Sequence, residues 1–469
     1  MKKLLITSIM ISGILSLCGC GNTSSSNSNS STATTSTTTT SSEDTSEAAA
    51  TTTTASSYNS SRIFTYNYVH GDEGYFNLLN DMPEFRKKAQ SGGSCWAYAA
   101  AASMETSYFL KNGKNIEIDP MRIIDTVWNQ NKSEGFIKKV DTANADMGGW
   151  QWMVTQTLSN KMDGITLDSA KILTDTGKDA IKEAVQTRGG IVVSVPDDEE
   201  KIDWFGEYYT MNDPKNENVD HAVTIIGWDD SFPKNYFSEK ASQNGAWIAY
   251  NSAAGIMGSY YYISYDTPLK DVVSFTAADK FSEVLSYDAG NEQDKYITRG
   301  DATTVANVFH KAGKLAAIGT YNDFDAQDIK IDIYDAGFKT LLYTQDATLS
   351  YHGYQTVDLN TILSVNDYAV IITYTKGAPV EGQTIDYDTS DYVTVSDKGQ
   401  SFVFLGDWKN KASIFHEVEI PEGAEEAPQV DHTYDYIKDM KDMSDDDIKE
   451  ALGIDFEPHN CCIKALYTY

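Results

Sequence analysis

Gly92-Gly93-Ser94-Cys95-Trp96-Ala97-Tyr98 is the stretch on which the reading of this chain turns. It sets one cysteine at the end of a glycine-rich loop, and a helical pattern begins directly behind it. Ala97 to Leu110 is alanine-rich, with Ala100, Met104, Ser107 and Tyr108 at spacings of three and four, which predicts a helix. A thiol at a helix N-terminus meets the positive end of the helix dipole, which favours thiolate over thiol. Glycines before it let backbone N–H groups approach a bound carbonyl, where an oxyanion would form. Read alone, Cys95 fits a small buried hydrophobe equally well.

A catalytic thiol needs a base. Of the seven histidines, only His221 lies between Cys95 and residue 300. It opens Asp220-His221-Ala222-Val223-Thr224-Ile225-Ile226-Gly227-Trp228, an apolar, β-branched run that predicts a strand. A histidine at a strand mouth can reach a site outside the sheet while its backbone is held rigidly. Gly245-Ala246-Trp247-Ile248-Ala249-Tyr250-Asn251-Ser252 predicts a second strand that ends on an asparagine. A side-chain amide accepting from the imidazole would fix its tautomer and orientation.

Ser94-Cys95-Trp96-Ala97, Asp220-His221-Ala222-Val223 and Asn251-Ser252, in that order, resemble the papain family of cysteine peptidases. His221 and Asn251 follow Cys95 by 126 and 156 residues, against the family's interval of about 130–150. The resemblance implies a two-lobed α+β catalytic domain, one helical lobe and one β-sheet lobe, with the site in the groove between. It implies a Cys95–His221–Asn251 triad that cleaves peptide bonds through a thioester and needs no cofactor or metal. Transamidation would use the same triad with another acceptor. The chain departs from the family in three places. Gly92 stands where the family has a cysteine, removing a local disulfide. Ala89 stands where it has the oxyanion-donor glutamine, and Gln90, one residue nearer the thiol, is the substitute candidate. Ala253 replaces the tryptophan after Asn-Ser, which implies either a wetter, looser Asn–His pair or a different substrate cleft. Gly148-Gly149 is similar to the family's substrate-lining glycine pair and marks a candidate substrate-binding element.

The rest of the chain sets the context. Met1-Lys2-Lys3 and the apolar run Leu4–Leu17 read as an export signal, too short for a stable membrane span. Leu17-Cys18-Gly19-Cys20 resembles a bacterial lipoprotein box, so residues 1–19 are the expected signal peptide. Cys20 is then the lipidated anchor, and the protein lies on the outer face of a bacterial membrane, or is secreted. Residues 20–57 are Ser/Thr-rich without apolar period, a disordered tether. Residues 58–274 hold the papain-like unit, mainly helical over 111–200, with Ile191–Val195 as its first strand and Tyr260–Tyr265 its last. Asp119-Pro120 predicts a capped helix start there. Residues 275–469 carry short alternating segments, among them Thr303–His310, Leu315–Tyr321, Gln355–Leu359 and Tyr368–Tyr374, which predict an all-β sandwich. It resembles the lectin-like sandwich that follows a papain-type domain in some bacterial surface peptidases, which implies a glycan or cell-wall ligand.

The formal net charge of −31 repels phosphate backbones, so no nucleic-acid partner is expected, and no membrane adhesion by charge alone. Cys461-Cys462 has neither the spacing nor the company of a metal site. The expected state is a monomer acting on protein or peptide substrates. The competing reading is an inactive papain-like surface adhesin, motivated by the displaced glutamine and the missing tryptophan.

Overall fold

The computed structural model describes residues 73–128, 135–138, 148–160, 162, 164–198, 201–205, 208–237, 239–253, 260–289, 295–300, 302–386, 390–405 and 437–469. The expected signal peptide, the tether and Cys20 lie outside the described residues.

Helix α1 (Cys95–Asn112) is the axis of the first half. Its alanines at 97 and 99–102 are all buried, together with Ser103, Thr106 and Ser107. Small side chains let the neighbouring elements approach this helix closely, and its hydroxyls then take over backbone hydrogen bonds that the sheet leaves open. Ser103 Oγ donates to the Gly190 carbonyl at 2.5 Å and accepts from Phe275 N at 3.2 Å. Thr106 Oγ1 accepts from Gly190 N at 2.8 Å, and Ser107 Oγ accepts from Ala277 N at 3.1 Å. Helices α2 (Pro120–Val127), α3 (Gln151–Leu158) and α4 (Lys178–Arg188) follow. Asp119 caps α2, accepting from Met121 N at 3.0 Å, and Pro120 opens it, where a missing N–H costs nothing.

The sheet lobe is built from β1 (Tyr75–Asn77), β2 (Thr166–Ile172), β3 (Ile191–Val195), β4 (His221–Asp229), β5 (Ala246–Tyr250), β6 (Tyr260–Ser264) and β7 (Lys270–Ala278). The ladder β3–β4–β5–β6 is antiparallel, and β3 is buried at every position, as its unbroken apolar run requires. Two expectations need correction. Thr166–Ile172 is a strand within the segment expected to be mainly helical, paired along β7 with Leu167 and Ala170 buried. The lobe also does not close at Tyr265: β7 pairs with both β2 and β3, so a boundary after residue 274 cuts through a strand.

The second half is dominated by two long antiparallel strands, β8 (Thr303–Asn322) and β10 (Gly353–Tyr374), with β9 (Gln327–Asp335) beside β10 and β11 (Lys464–Thr468) beside β8. Each long strand joins two segments that the sequence presents separately. Register shifts at His310/Gly313 and Leu315/Ala317 bend the pair, so one ladder serves two layers. Their apolar residues, among them Ile318, Ile331, Val370 and Ile372, form a second core. The acidic segment from Asp439 is a capped surface turn: Asp439 Oδ1 accepts from Lys441 N at 2.9 Å.

The two halves share structure. Gly353–Gln355 of β10 pairs with Ser169–Lys171 of β2, and Ser390–Val393 pairs with Gly135–Lys138. Tyr321, Tyr354, Tyr392 and Cys462 belong to the same buried cluster as Trp96, Met153 and Leu158. Gly353 makes the first contact possible. Its φ is +108°, and a Cβ there would fall 2.0 Å from the Ala170 carbonyl oxygen. Gly353→Ala is therefore expected to destabilise the whole chain by about 2 kcal/mol or more, lowering the urea midpoint measured at the tryptophans. An unchanged midpoint would show that the seam between β2 and β10 contributes nothing.

Candidate active site

Cys95 is the first residue of α1 and is fully buried. Ser94 precedes it, and the Ser94 hydroxyl donates to the Ser91 carbonyl at 2.8 Å instead of capping the helix. The thiol thus sits at the positive end of an 18-residue helix. Cys461 and Cys462 are free and buried in the second half; burial pushes the Cys461 thiol up to about 12 and raises that of Cys462 as well.

His221 opens β4 and Asn251 follows β5, each 3% exposed. His221 Nε2 lies 2.9 Å from Asn251 Oδ1. The Ala253 amide also donates to Asn251 Oδ1, at 3.0 Å, which fixes which end of the carboxamide faces the ring. An amide oxygen only accepts, so Nε2 carries the proton and Nδ1 is the basic nitrogen of the neutral ring. The β4 strand is tied to α1 beside this point: Thr224 Oγ1 donates to the Ala99 carbonyl at 2.9 Å, and Ala222 shares a buried cluster with Cys95. The wetter Asn–His pair implied by Ala253 is not what the structure has. Both side chains are buried, and Ala253 supplies a backbone donor in place of an indole.

Gln90 is 8% exposed and docked on the residues after β5. Its backbone N–H donates to the Ser252 carbonyl at 2.6 Å, its Oε1 accepts from Ser252 Oγ at 2.8 Å, and its Nε2 donates to the Gly92 carbonyl at 2.9 Å. One Nε2 proton is engaged in the loop that leads to Cys95. Gly149 packs flat on Trp96, the neighbour of Cys95; a Cβ at Gly149 would lie 2.4 Å from the indole. Trp128 Nε1 donates to the Gly148 carbonyl at 3.1 Å. The glycine pair thus reaches the residue after the thiol, and Gly148 is held from α2's end.

Sequence reading missed the fastening of this loop. Tyr250 Oη accepts from Lys88 N and donates to Lys88 O, both at 2.6 Å. Lys88 Nζ pairs with the Glu105 carboxylate in α1 and donates to the Ile118 carbonyl at 2.6 Å, while Ile118 N donates to Glu105 Oε1 at 2.7 Å. Glu105 is 4% exposed; burial raises its carboxyl above the usual range, opposed by the Lys88 charge. Burial likewise raises the Tyr250 hydroxyl. The available signal was a lone carboxylate on a helix otherwise lined with alanine.

With this geometry established, comparison with known proteins is direct. Residues 80–265 match the family described as papain family cysteine protease, and residues 284–420 match a lectin like domain. The chain carries a papain-family cysteine protease domain followed by a lectin-like domain. Its protease domain is 27% identical over 185 residues to mouse (Mus musculus) procathepsin L, covering 36% of this chain and 53% of that one. It is 26% identical over 166 residues to rat (Rattus norvegicus) cathepsin S, covering 32% and 50%. The chain thus spans about half the length of these relatives. The fold of both domains together is similar to that of the cysteine protease and lectin-like domains of Cwp84, a surface layer associated protein of Clostridium difficile. That match has a TM-score of 0.61 at 15% identity, over 85% of this chain and 89% of that one. A second Cwp84 structure, after propeptide cleavage, matches with the same score over 84% and 99%.

Lys88→Met removes the ammonium paired with the buried Glu105 carboxylate, and is expected to cost about 3 kcal/mol at neutral pH. Without Lys88 the Glu105 carboxyl rises further, so stability is held while the group is protonated and lost as pH climbs through the raised value. Denaturation of the variant and its parent should diverge more at pH 7 than at pH 5; a gap that widens toward acid would contradict the assignment.

Proposed function

We propose that this protein is a cell-surface cysteine endopeptidase that hydrolyses peptide bonds through Cys95, His221 and Asn251. The observation that carries the reading is the oriented imidazole: Asn251 Oδ1, itself held by the Ala253 amide, takes Nε2–H and leaves Nδ1 as the base. In this reading Nδ1 takes the Cys95 proton, and the helix N-terminus stabilises the resulting thiolate. The sulfur attacks the peptide carbonyl carbon, and the oxyanion is held by the Cys95 amide and by the second Nε2 proton of Gln90. The imidazolium returns its proton to the departing amine. Water, deprotonated by Nδ1, then cleaves the thioester and frees the acid and the thiol. Gly148 and Gly149, on the Trp96 side of the thiol, pair with the backbone of the substrate.

Surface placement rests on the export signal, on lipidation at Cys20, and on the long tether. Among the described residues no helix is long and apolar enough to cross a membrane. The lectin-like domain directs the enzyme to a glycan or cell-wall ligand.

Cys95→Ala is expected to fold normally and to abolish turnover of a peptide substrate. Asn251→Ala, which frees the ring to rotate, should lower kcat about a hundredfold. Gln90→Ala should do so by about the same factor, through loss of one oxyanion donor. Stoichiometric, pH-dependent labelling of Cys95 by a thiol-reactive epoxide is the accompanying test. A folded protein that is inert to the epoxide and to every peptide would favour the adhesin reading.

A further inference from the structure

The second domain reaches the helical lobe through one short helix. α3 is eight residues long, and its N-cap, Trp150, makes no side-chain cap bond. A helix of that length is marginal in water by itself, so its position is set by what packs against it. Met153, Val154 and Leu158 are buried in one cluster with Trp96. Trp152 and Gln156 stand four residues apart, on a common face of the helix, and both meet Tyr392. The Trp152 and Tyr392 rings meet edge to face, with centroids 6.0 Å apart and planes at 83°. Gln156 Nε2 donates to Tyr392 Oη at 3.1 Å.

Tyr392 is in turn fixed from its own domain. It is buried, within the strand Ser390–Val393. A hydroxyl has one proton to give, and this one goes to Glu381 Oε1 at 3.2 Å. Glu381 is fully buried; its Oε1 also accepts from Ala289 N at 3.0 Å, and its Oε2 accepts from Asn460 Nδ2 at 2.8 Å. A buried carboxylate held by several donors cannot shift without leaving one of them unpaired, which is costly. The Tyr392 hydroxyl is therefore a fixed point, and α3 hangs on it.

What moves with α3 is the edge beside the thiol. Gly148-Gly149-Trp150 runs straight into the helix. Gly149 lies flat on Trp96, the neighbour of Cys95, and Trp150 stacks on Trp152 with centroids 6.0 Å apart and planes at 16°. Gly148 and Trp150 to Trp152 are half-buried, so this edge is open to a ligand while Tyr392 is not. The triad takes its orientation from other bonds: Asn251 Oδ1 and the Ala253 amide for His221, and Thr224 for the seat of β4 on α1.

We propose that Tyr392, a residue of the lectin-like domain, is a positioning residue for substrate binding in the protease domain. Through Gln156 and Trp152 it sets where Gly148-Gly149 presents its backbone to the peptide. The proposal rests on the peptidase reading above and goes beyond it, since it makes the two domains one substrate-binding unit. Because the thiol and its base are held by other bonds, loss of the Tyr392 hydroxyl acts on peptide affinity and leaves the chemical step alone.

The test uses the full chain and a panel of internally quenched octapeptides of random sequence. Tyr392→Phe keeps the ring against Trp152 and deletes both hydroxyl bonds. It is expected to raise KM about tenfold, with kcat unchanged and with the same rate of Cys95 alkylation by iodoacetamide, a reagent too small to touch the glycine edge. Gln156→Leu should raise KM by the same factor, and the double variant should be no worse than either single one, because both cut the same link. Gln156→Leu leaves the Tyr392–Glu381 bond in place, so it carries the test if Tyr392→Phe does not fold. An unchanged KM, even beside a lower melting temperature, would make Tyr392 purely structural and overturn the proposal. So would a fall in kcat and in alkylation with KM intact. Calorimetry of the same panel with Cys95→Ala protein separates this proposal from the triad. If the wild-type chain cuts nothing, the peptidase reading fails, and a tenfold loss of affinity on adding Tyr392→Phe still supports the positioning role, whereas equal affinities refute it. A panel that binds neither protein refutes both.

Discussion

The active-site geometry depends on the docking of one short loop. Lys88 to Gln90 runs along the end of β5, held by Tyr250 Oη at Lys88 and by the Ser252 carbonyl and hydroxyl at Gln90. Loops are ordinarily the mobile part of a fold. This one is bonded through its backbone at two points and through a buried charge to α1. Its far end is Cys95, and the strand it grips ends in Asn251. The thiol and the carboxamide are 156 residues apart in the chain, and the Gln90–Ser252 hydrogen bonds tie the segments that carry them together. Catalysis gains most from reacting groups held before the substrate arrives. Here much of the holding is done by Lys88, Glu105 and Tyr250, outside the proposed triad.

The second constraint is that α1 is enclosed. A helix with sheet on one side and helices on the other must keep small side chains where those neighbours come closest, and Ala99 to Ala102 reflect that. The hydroxyls of Ser103, Thr106 and Ser107 stand where the strands around Gly190, Phe275 and Ala277 need partners. Tight enclosure fixes the height of Cys95 relative to the sheet. It also draws in the second domain, because Tyr321, Tyr354 and Tyr392 complete the packing around the same helix lobe. Tyr392 accepts from Gln156 Nε2 at 3.1 Å and donates to the buried Glu381 at 3.2 Å. The lectin-like domain is therefore part of what positions α3, the helix that begins just after Gly148-Gly149.

What was legible in the sequence was local chemistry. A cysteine before a helix, a histidine before an apolar strand and an asparagine after another announce themselves, because each function needs one residue type at one kind of boundary. The start of α2 was legible for the same reason, through Asp119-Pro120. What escaped was non-local. Nothing near Gly353 indicates that Ala170 lies against it, and nothing near Ser390 indicates Gly135–Lys138. The length of β8 and β10 escaped because polar residues at the bends, such as His310 to Lys314, read as turns, although the ladder continues across them. Gln90 was visible only as a residue type. Its place beside Ser252 is set by a contact from the other lobe.

The missing tryptophan after Asn-Ser shows how such a departure can be absorbed. An aromatic shield does two things for an Asn–His pair: it excludes water, and it keeps the amide from turning over. Here the two tasks are separated. Exclusion comes from burial that leaves His221 and Asn251 each 3% exposed without an indole at position 253. Orientation comes from the Ala253 N–H, which can donate only to an oxygen and so forbids the flipped amide. A flipped carboxamide would present its NH2 to Nε2, stabilise the other tautomer and move the proton to Nδ1, where it would block the thiol. The small residue after Ser252 is thus compatible with a working base, because the constraint that matters acts on the carboxamide oxygen and is supplied by backbone.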